Sequence, residues 1–109
     1  MTEQHNTVEI KSRNYWFKVV EFLQTNWALI DERENGTAHV WFLNDVSGVF
    51  DEMDFPSLGD AVDGLMRNGF DLYDKAEQVH KFLAPPNSEF KREPHPNGNI
   101  YSSGRFWKS

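Results

Sequence analysis

The chain contains no cysteine. This absence excludes disulfides, thiolate nucleophiles and zinc or iron–sulfur sites that depend on cysteine ligands. No apolar run approaches the roughly 18 residues of a membrane-spanning helix, and the N-terminal region lacks the basic-then-apolar pattern of a secretory signal. We therefore predict a cytoplasmic protein that does not contact a membrane.

The motifs that usually carry catalysis or cofactor binding are also missing. The seven glycines are scattered, so the chain has neither a phosphate-cradling loop nor a Gly-x-Ser-x-Gly nucleophile turn. The four histidines show neither HxH nor HxxxH spacing, and no calcium-loop pattern occurs. The sequence thus predicts no cofactor and no metal, and it favours a protein that is not an enzyme.

Positive charge is scarce and unevenly placed. The net charge is −6, with nine acids against two bases in residues 44–77 and two acids against five bases in residues 78–109. A general nucleic-acid-binding protein needs a basic surface, so this balance argues against that class. A compact acidic surface can instead bind a basic partner through electrostatic steering.

The sequence contains enough aromatic residues to build a core. The 109 residues suit one domain, and 15% of them are aromatic. We predict a flexible lead-in over residues 1–11 and a single α+β domain over residues 12–109. The domain is expected to hold an antiparallel sheet of about four strands, with hairpin 27–44 central and two or three helices packed on it.

The hairpin has the strongest local signal. Asn35-Gly36 is typical of a two-residue turn with positive φ at both positions, between flanks rich in β-branched and aromatic residues. That turn places Glu32 opposite His39. It also predicts that Trp27 and Leu29 share a face with Val40 and Phe42, whereas Ala28 and Ile30 share the other face with Trp41 and Leu43. Since both faces are apolar near the open end, we expect both to be covered.

Other elements follow from periodicity and caps. Apolar residues at helical spacing predict a helix of about three turns over residues 15–26, and alternation predicts a third strand over 46–55. Ser57 as N-cap and Asn68-Gly69 as C-cap predict a second helix, with Phe70 folding back on it. Residues 70–73 are predicted as a short strand and residues 76–83 as a last helix. The composition of residues 100–107 is typical of a strand.

The charge asymmetry suggests the leading function, a protein-interaction module or inhibitor that binds a basic protein. Its expected contact surface is a carboxylate-rich face formed by Asp45, Asp51, Glu52, Asp54, Asp60 and Asp63.

Two other functions remain open. Glu52, Asp54 and His39 can serve a metal-dependent or acid–base enzyme if the fold brings them together. The aromatic and basic tail can bind single-stranded nucleic acid through Tyr101, Arg105 and Trp107. In the same tail, the sequence predicts Phe106 and Trp107 as a clasp over the core, and their exposure would make the tail a contact site in its own right.

Overall fold

The computed structural model describes residues 7–21, 24–45, 47–86 and 89–92. These residues form a single α+β domain, as predicted, but its sheet has six strands instead of about four, in the order β5-β1-β2-β3-β4-β6, and the described residues contain one α-helix instead of two or three. Neighbouring strands are antiparallel except β4 and β6, which are parallel. The elements are β1 (Trp16–Glu21), β2 (Gln24–Glu32), β3 (Ala38–Leu43), β4 (Gly48–Phe55), α1 (Leu58–Arg67), β5 (Asp71–Leu72) and β6 (Lys91–Arg92), with 3-10 turns at Tyr73–Lys75 and Glu77–Val79.

The prediction of a central hairpin is confirmed, but its predicted register is wrong by one residue. Arg33 donates its N–H to the Thr37 carbonyl at 2.7 Å and accepts from the Gly36 N–H at 3.0 Å, so three residues form the connection. Gly36 has a φ of +91°. A three-residue connection of this kind requires one residue with such a left-handed backbone conformation. As a result His39 lies opposite Asp31 instead of Glu32.

This shift changes which residues share a face of the sheet. Trp27 and Leu29 lie with Trp41 and Leu43, so the predicted division of the β3 side chains between the two faces is reversed. A one-residue slip moves every side chain of one strand to the opposite face, because the side-chain period of a strand is two.

The expectation that both faces are covered is confirmed. One face, here called the loop face, packs Trp27, Leu29, Trp41 and Leu43 against buried residues from segments outside the central strands; these are Val8, Ile10, Tyr15, Ala76 and Phe90. The other, here called the helix face, packs Ala28, Ile30, Val40 and Phe42 against α1 and Phe70. The sheet therefore has a separate apolar core on each side.

The predicted first helix is wrong, because its residues form β1 and the beginning of β2. Trp16 pairs with Ala28 and packs toward the helix face, whereas Phe17 pairs with Trp27 and belongs to the loop face. A strand that is covered on both sides carries apolar residues at consecutive positions. Such a run also matches a broad helical stripe, so periodicity alone does not separate the two structures.

The predicted second helix is confirmed as α1, residues Leu58–Arg67. The Ser57 hydroxyl accepts from the Asp60 N–H at 3.1 Å, which caps the first turn. At the other end Gly69 has a φ of +93°, and the Phe70 N–H donates to the Leu65 carbonyl at 2.9 Å. This C-terminal motif folds Phe70 back into the helix-face core, where it is 1% exposed.

The predicted last helix over residues 76–83 is also wrong, since that segment contains only the short 3-10 turn Glu77–Val79, which follows another 3-10 turn at Tyr73–Lys75. Ala76, between the turns, has φ −105° and ψ 63°, which interrupts helical geometry. The Tyr73 hydroxyl donates to the Leu83 carbonyl at 2.5 Å and its ring stacks on His80 at 4.3 Å. A helix of about eight residues has little stability of its own, so these tertiary contacts determine the local backbone.

The structure describes part of the predicted lead-in but not the predicted C-terminal strand. Val8 and Ile10, which the sequence places in the lead-in, are 7% and 4% exposed in the loop-face core. The predicted strand at residues 100–107 lies outside the described residues.

Within the described ranges no helix has the length and apolar content needed to cross a membrane. The cytoplasmic location stays a prediction.

Candidate functional site on strand β4 and helix α1

The six predicted contact carboxylates lie on more than one surface. Register places Glu52 opposite Trp41 and Asp54 opposite His39, on the loop face. Asp51 lies opposite Phe42 and therefore on the helix face. Asp60 and Asp63 lie on α1, which covers that second face. The fold thus divides the carboxylates of β4 between opposite sides of the sheet.

His39 brings two of these carboxylates together. Its Nδ1 lies 2.5 Å from Asp54 Oδ1, and its Nε2 lies 2.7 Å from Glu52 Oε1. The imidazole is 10% exposed and its edge contacts the Trp41 ring at a centroid distance of 4.3 Å. His39, Glu52 and Asp54, which the enzyme hypothesis grouped, are therefore in direct contact.

Arg92 extends this cluster from β4 to β6. Its guanidinium donates a hydrogen bond to Glu52 Oε2 and lies 5.8 Å from the centroid of the Trp41 ring. Burial alone would raise the pKa of Glu52, but the hydrogen bonds and positive charges of Arg92 and His39 outweigh it and lower that pKa. Glu52 is thus held as a carboxylate between the Arg92 guanidinium and the His39 imidazole. We call His39, Glu52, Asp54 and Arg92 the β4 network.

The β4 network has the chemistry of a structural brace. A carboxylate only accepts hydrogen bonds, and an imidazole whose two nitrogens both face carboxylates satisfies both of them only when it carries two N–H groups. Both ring nitrogens of His39 are occupied by carboxylate contacts within the fold. Among the described residues, no group of three or more His, Asp or Glu side chains is arranged to hold a metal ion.

Two more of the predicted carboxylates are engaged in the fold. Asp45 accepts from the Trp27 indole N–H at 2.9 Å and from the Thr25 N–H at 3.3 Å. Asp51 accepts from the Glu52 N–H at 2.9 Å. These carboxylates satisfy donors at the strand ends and along β4, which leaves less of their charge for an external partner.

Four of the predicted carboxylates are exposed to solvent, one of which is Asp45. The side chains of Asp54 and Asp63 are 74% and 75% exposed, and Asp60 is also exposed. Asp63 lies 3.9 Å from Arg67 one turn later, which is a weak, solvent-screened pair. Because Asp45 and Asp54 accept hydrogen bonds within the fold, Asp60 and Asp63 are the exposed carboxylates that the fold engages least.

Sequence reasoning missed the part that Arg92 plays. It placed Arg92 in the basic C-terminal stretch, whereas the structure pairs it with an acid 40 residues away. No local signal marks such a pair, because it depends on β6 lying beside β4. Tyr101, Arg105 and Trp107, and with them Phe106, lie outside the described residues.

Two surface clefts lie away from the β4 network. One of about 560 Å³ surrounds the tip of the β2–β3 hairpin and is lined mainly by charged residues, among them Glu9, Asp31, Glu32 and Glu34. The other, of about 400 Å³, lies where the end of α1 meets β5 and is lined mainly by apolar residues. Neither contains His39, Glu52 or Asp54.

Comparisons with protein-family models, with curated proteins and with solved structures find no match to this chain. By its fold the protein is a single α+β domain with a mostly antiparallel sheet and one α-helix among the described residues.

Proposed function

We propose that the protein is a non-catalytic interaction module that binds a basic protein through the exposed α1 carboxylates Asp60 and Asp63. The observation that carries this proposal is their exposure. They lie one helical turn apart, and Asp63 has only the weak contact with Arg67, whereas Asp45, Glu52 and Asp54 accept hydrogen bonds within the fold. They also belong to residues 44–77, the most acidic part of the chain.

A rigid element holds these two carboxylates. Asp60 and Asp63 belong to α1, whose N-terminus is capped by Ser57 and whose buried side rests on the sheet through Ala61 and Leu65. Charges on rigid elements lose little conformational entropy on binding, which favours recognition of a complementary basic surface.

The contacts of the β4 network support this function over the enzyme hypothesis. Glu52 is hydrogen-bonded to both His39 and Arg92, and His39 is also hydrogen-bonded to Asp54, so a substrate would have to displace these internal contacts. The nucleic-acid hypothesis stays a prediction about the tail. A Trp107→Ala variant that fails to bind a labelled single-stranded oligonucleotide, when the native chain binds it, would support that hypothesis.

A charge-removal experiment tests the proposal. The native chain and the Asp60→Asn/Asp63→Asn variant are immobilised, and proteins captured from lysate are identified at low salt and at about 0.5 M NaCl. We expect a basic partner whose capture is lost at high salt and falls at least about tenfold in the variant.

The matched control removes the same charge elsewhere. Glu32 and Glu34 are exposed acids at the hairpin tip, so Glu32→Gln/Glu34→Gln changes the net charge equally. This variant should keep most of the binding. Equal losses in the two variants would indicate attraction by net charge alone and would contradict a defined surface, as would a captured partner that survives high salt.

A further inference from the structure

The apolar cleft at the end of α1 suggests a second interaction surface, distinct from the carboxylates above. It has a volume of about 400 Å³ and lies at the β5 edge of the sheet. Its lining comes from β1, the end of α1, β5 and the 3-10 turns; the residues are Trp16, Met66, Phe70, Asp71, Leu72, Lys75, Ala76 and Gln78.

The cleft leaves apolar side chains exposed to solvent. Met66 is 61% exposed although it belongs to a helix that packs on the sheet. Trp16 and Leu72 are half-buried cross-strand neighbours, and Phe70 is almost fully buried beside them. The apolar stripe continues away from the cleft, since Leu58, four residues before Val62 and eight before Met66, is 40% exposed. Contiguous exposed apolar surface of this kind usually marks an interaction site.

The charges at the cleft indicate what covers it. Asp71 and Lys75 both line it, and neither forms an ion pair within the described part of the chain. Within residues 44–77 the two bases are Lys75 and Arg67, and Arg67 is the neighbour of Met66 in the chain. The two charges that line the cleft, on Asp71 and Lys75, therefore cancel, although the surrounding segment is acidic. A highly basic partner gains little here, whereas a surface that carries one acid and one base can complement itself.

We propose that the cleft is a symmetric dimer interface that a second copy of this chain occupies. In a two-fold interface the same patch serves both subunits, so an acid and a base on one patch can pair twice across the axis. Met66 of each copy packs near the Trp16 and Leu72 side chains of the other. Asp71 of each copy then faces Lys75 of the other. The proposal does not depend on the function proposed above, which uses other residues.

Self-association tests this proposal first. Each chain carries a net charge of −6, so two copies repel one another until salt screens that repulsion. Salt also weakens the two Asp71–Lys75 pairs, but it does not weaken the apolar contact. Sedimentation equilibrium at about 0.3 M NaCl should therefore show a dimer. A chain that stays monomeric there up to about 0.2 mM overturns the proposal.

The apolar contact is tested by Met66→Asp. The side chain is mostly exposed in one copy, so the variant should fold while its Kd for dimerisation rises at least about tenfold. Phe82→Asp is the matched control, because Phe82 is 73% exposed and does not line the cleft. It should leave the dimer intact. A dimer unaffected by Met66→Asp, or broken equally by Phe82→Asp, overturns the proposal.

The charge pairs are tested by a swap at low salt. Asp71→Lys and Lys75→Glu should each raise the Kd about 3- to 10-fold, since each places like charges opposite one another twice. The double variant Asp71→Lys/Lys75→Glu should return the Kd to within about twofold of the native value. Additive losses in the double variant overturn the predicted pairing.

Discussion

The two faces of the sheet are built in different ways. The helix face is covered by α1, one continuous element with its own caps, followed by Phe70 in the same short segment. The loop face is covered by side chains from several parts of the chain, including Val8, Tyr15 and Phe90. A face covered by one local element can be predicted from local signals, whereas a face assembled from distant segments cannot.

The faces also differ at the edge near β4. The helix face continues there as the half-buried apolar side chains of Met53 and Phe55. The loop face ends in the β4 network, in which Arg92 connects Glu52 to β6. The loop face therefore depends on electrostatic contacts at the place where the helix face depends on packing.

The largest expected effects come from the aromatic centre of each face. Trp27 is fully buried, with the rings of Tyr15, Phe17 and Tyr73 within about 6 Å, and its indole N–H binds Asp45. Trp27→Ala should lower the free energy of unfolding, measured by urea titration, by about 4–5 kcal/mol.

The matched change on the helix face is Phe42→Ala. Phe42 is equally buried, and the structure places it 5.9 Å from Phe70. We expect a loss of about 3–4 kcal/mol in the same urea titration. A smaller loss for Trp27→Ala than for Phe42→Ala would contradict the view that the loop face is held together by its central tryptophan.

The β4 network should show the next largest effect. Glu52→Gln removes the charge that both His39 and Arg92 contact, and we expect a loss of about 1–3 kcal/mol in unfolding free energy. Asp54→Asn is the control, because that carboxylate is 74% exposed and should contribute less than about 1 kcal/mol. Equal losses would mean that burial does not decide the strength of these contacts.

Acidification tests the same carboxylate. The pKa of Glu52 is lowered from its ordinary value of 4.5, so its stabilising contribution is complete above that value and is lost as the pH falls through the lower, folded-state pKa. Between about pH 5 and pH 3 the native chain should therefore lose more stability than Glu52→Gln. Parallel stability curves for the two proteins over this range would contradict the ion-pair assignment.

A smaller effect is expected from substitution of two glycines that have nearly the same positive φ. Gly36 has a φ of +91° and open space where a Cβ would lie, so Gly36→Ala should cost about 1 kcal/mol from backbone strain alone. In Gly69→Ala, at a φ of +93°, the new Cβ would lie 3.3 Å from Lys18 Cε, at the flexible end of that side chain. We expect this second cost to exceed the first by less than about 0.5 kcal/mol, measured by thermal unfolding. An excess above about 1 kcal/mol would show that Lys18 is held rigidly against the α1 cap.

These differences explain which parts of the candidate site were predictable. Asp60 and Asp63 were placed correctly on a helix because the Ser57 cap and Gly69 lie within a few residues of it. Alternation predicted the strand that carries Asp51 and Glu52, and consecutive residues of a strand point to opposite sides, but no local pattern predicted that Glu52 would contact Arg92. Contact across 40 residues depends on strand order, which local periodicity does not encode.

The sequence by itself determined the class of the domain, the position of the hairpin turn, the whole of α1 with both caps and the acidity of residues 44–77. Those properties follow from composition and from hydrogen bonds between residues close together in the chain. The tertiary structure alone decided that Trp16–Glu21 is a strand, that His39 faces Asp31, and that Glu52 is engaged while Asp63 is exposed. Each of these depends on which segments lie on either side of the sheet. Burial on both faces overrides the local helical preference of the first strand, and one extra residue in the hairpin turn moves the side chains of a strand to the opposite faces.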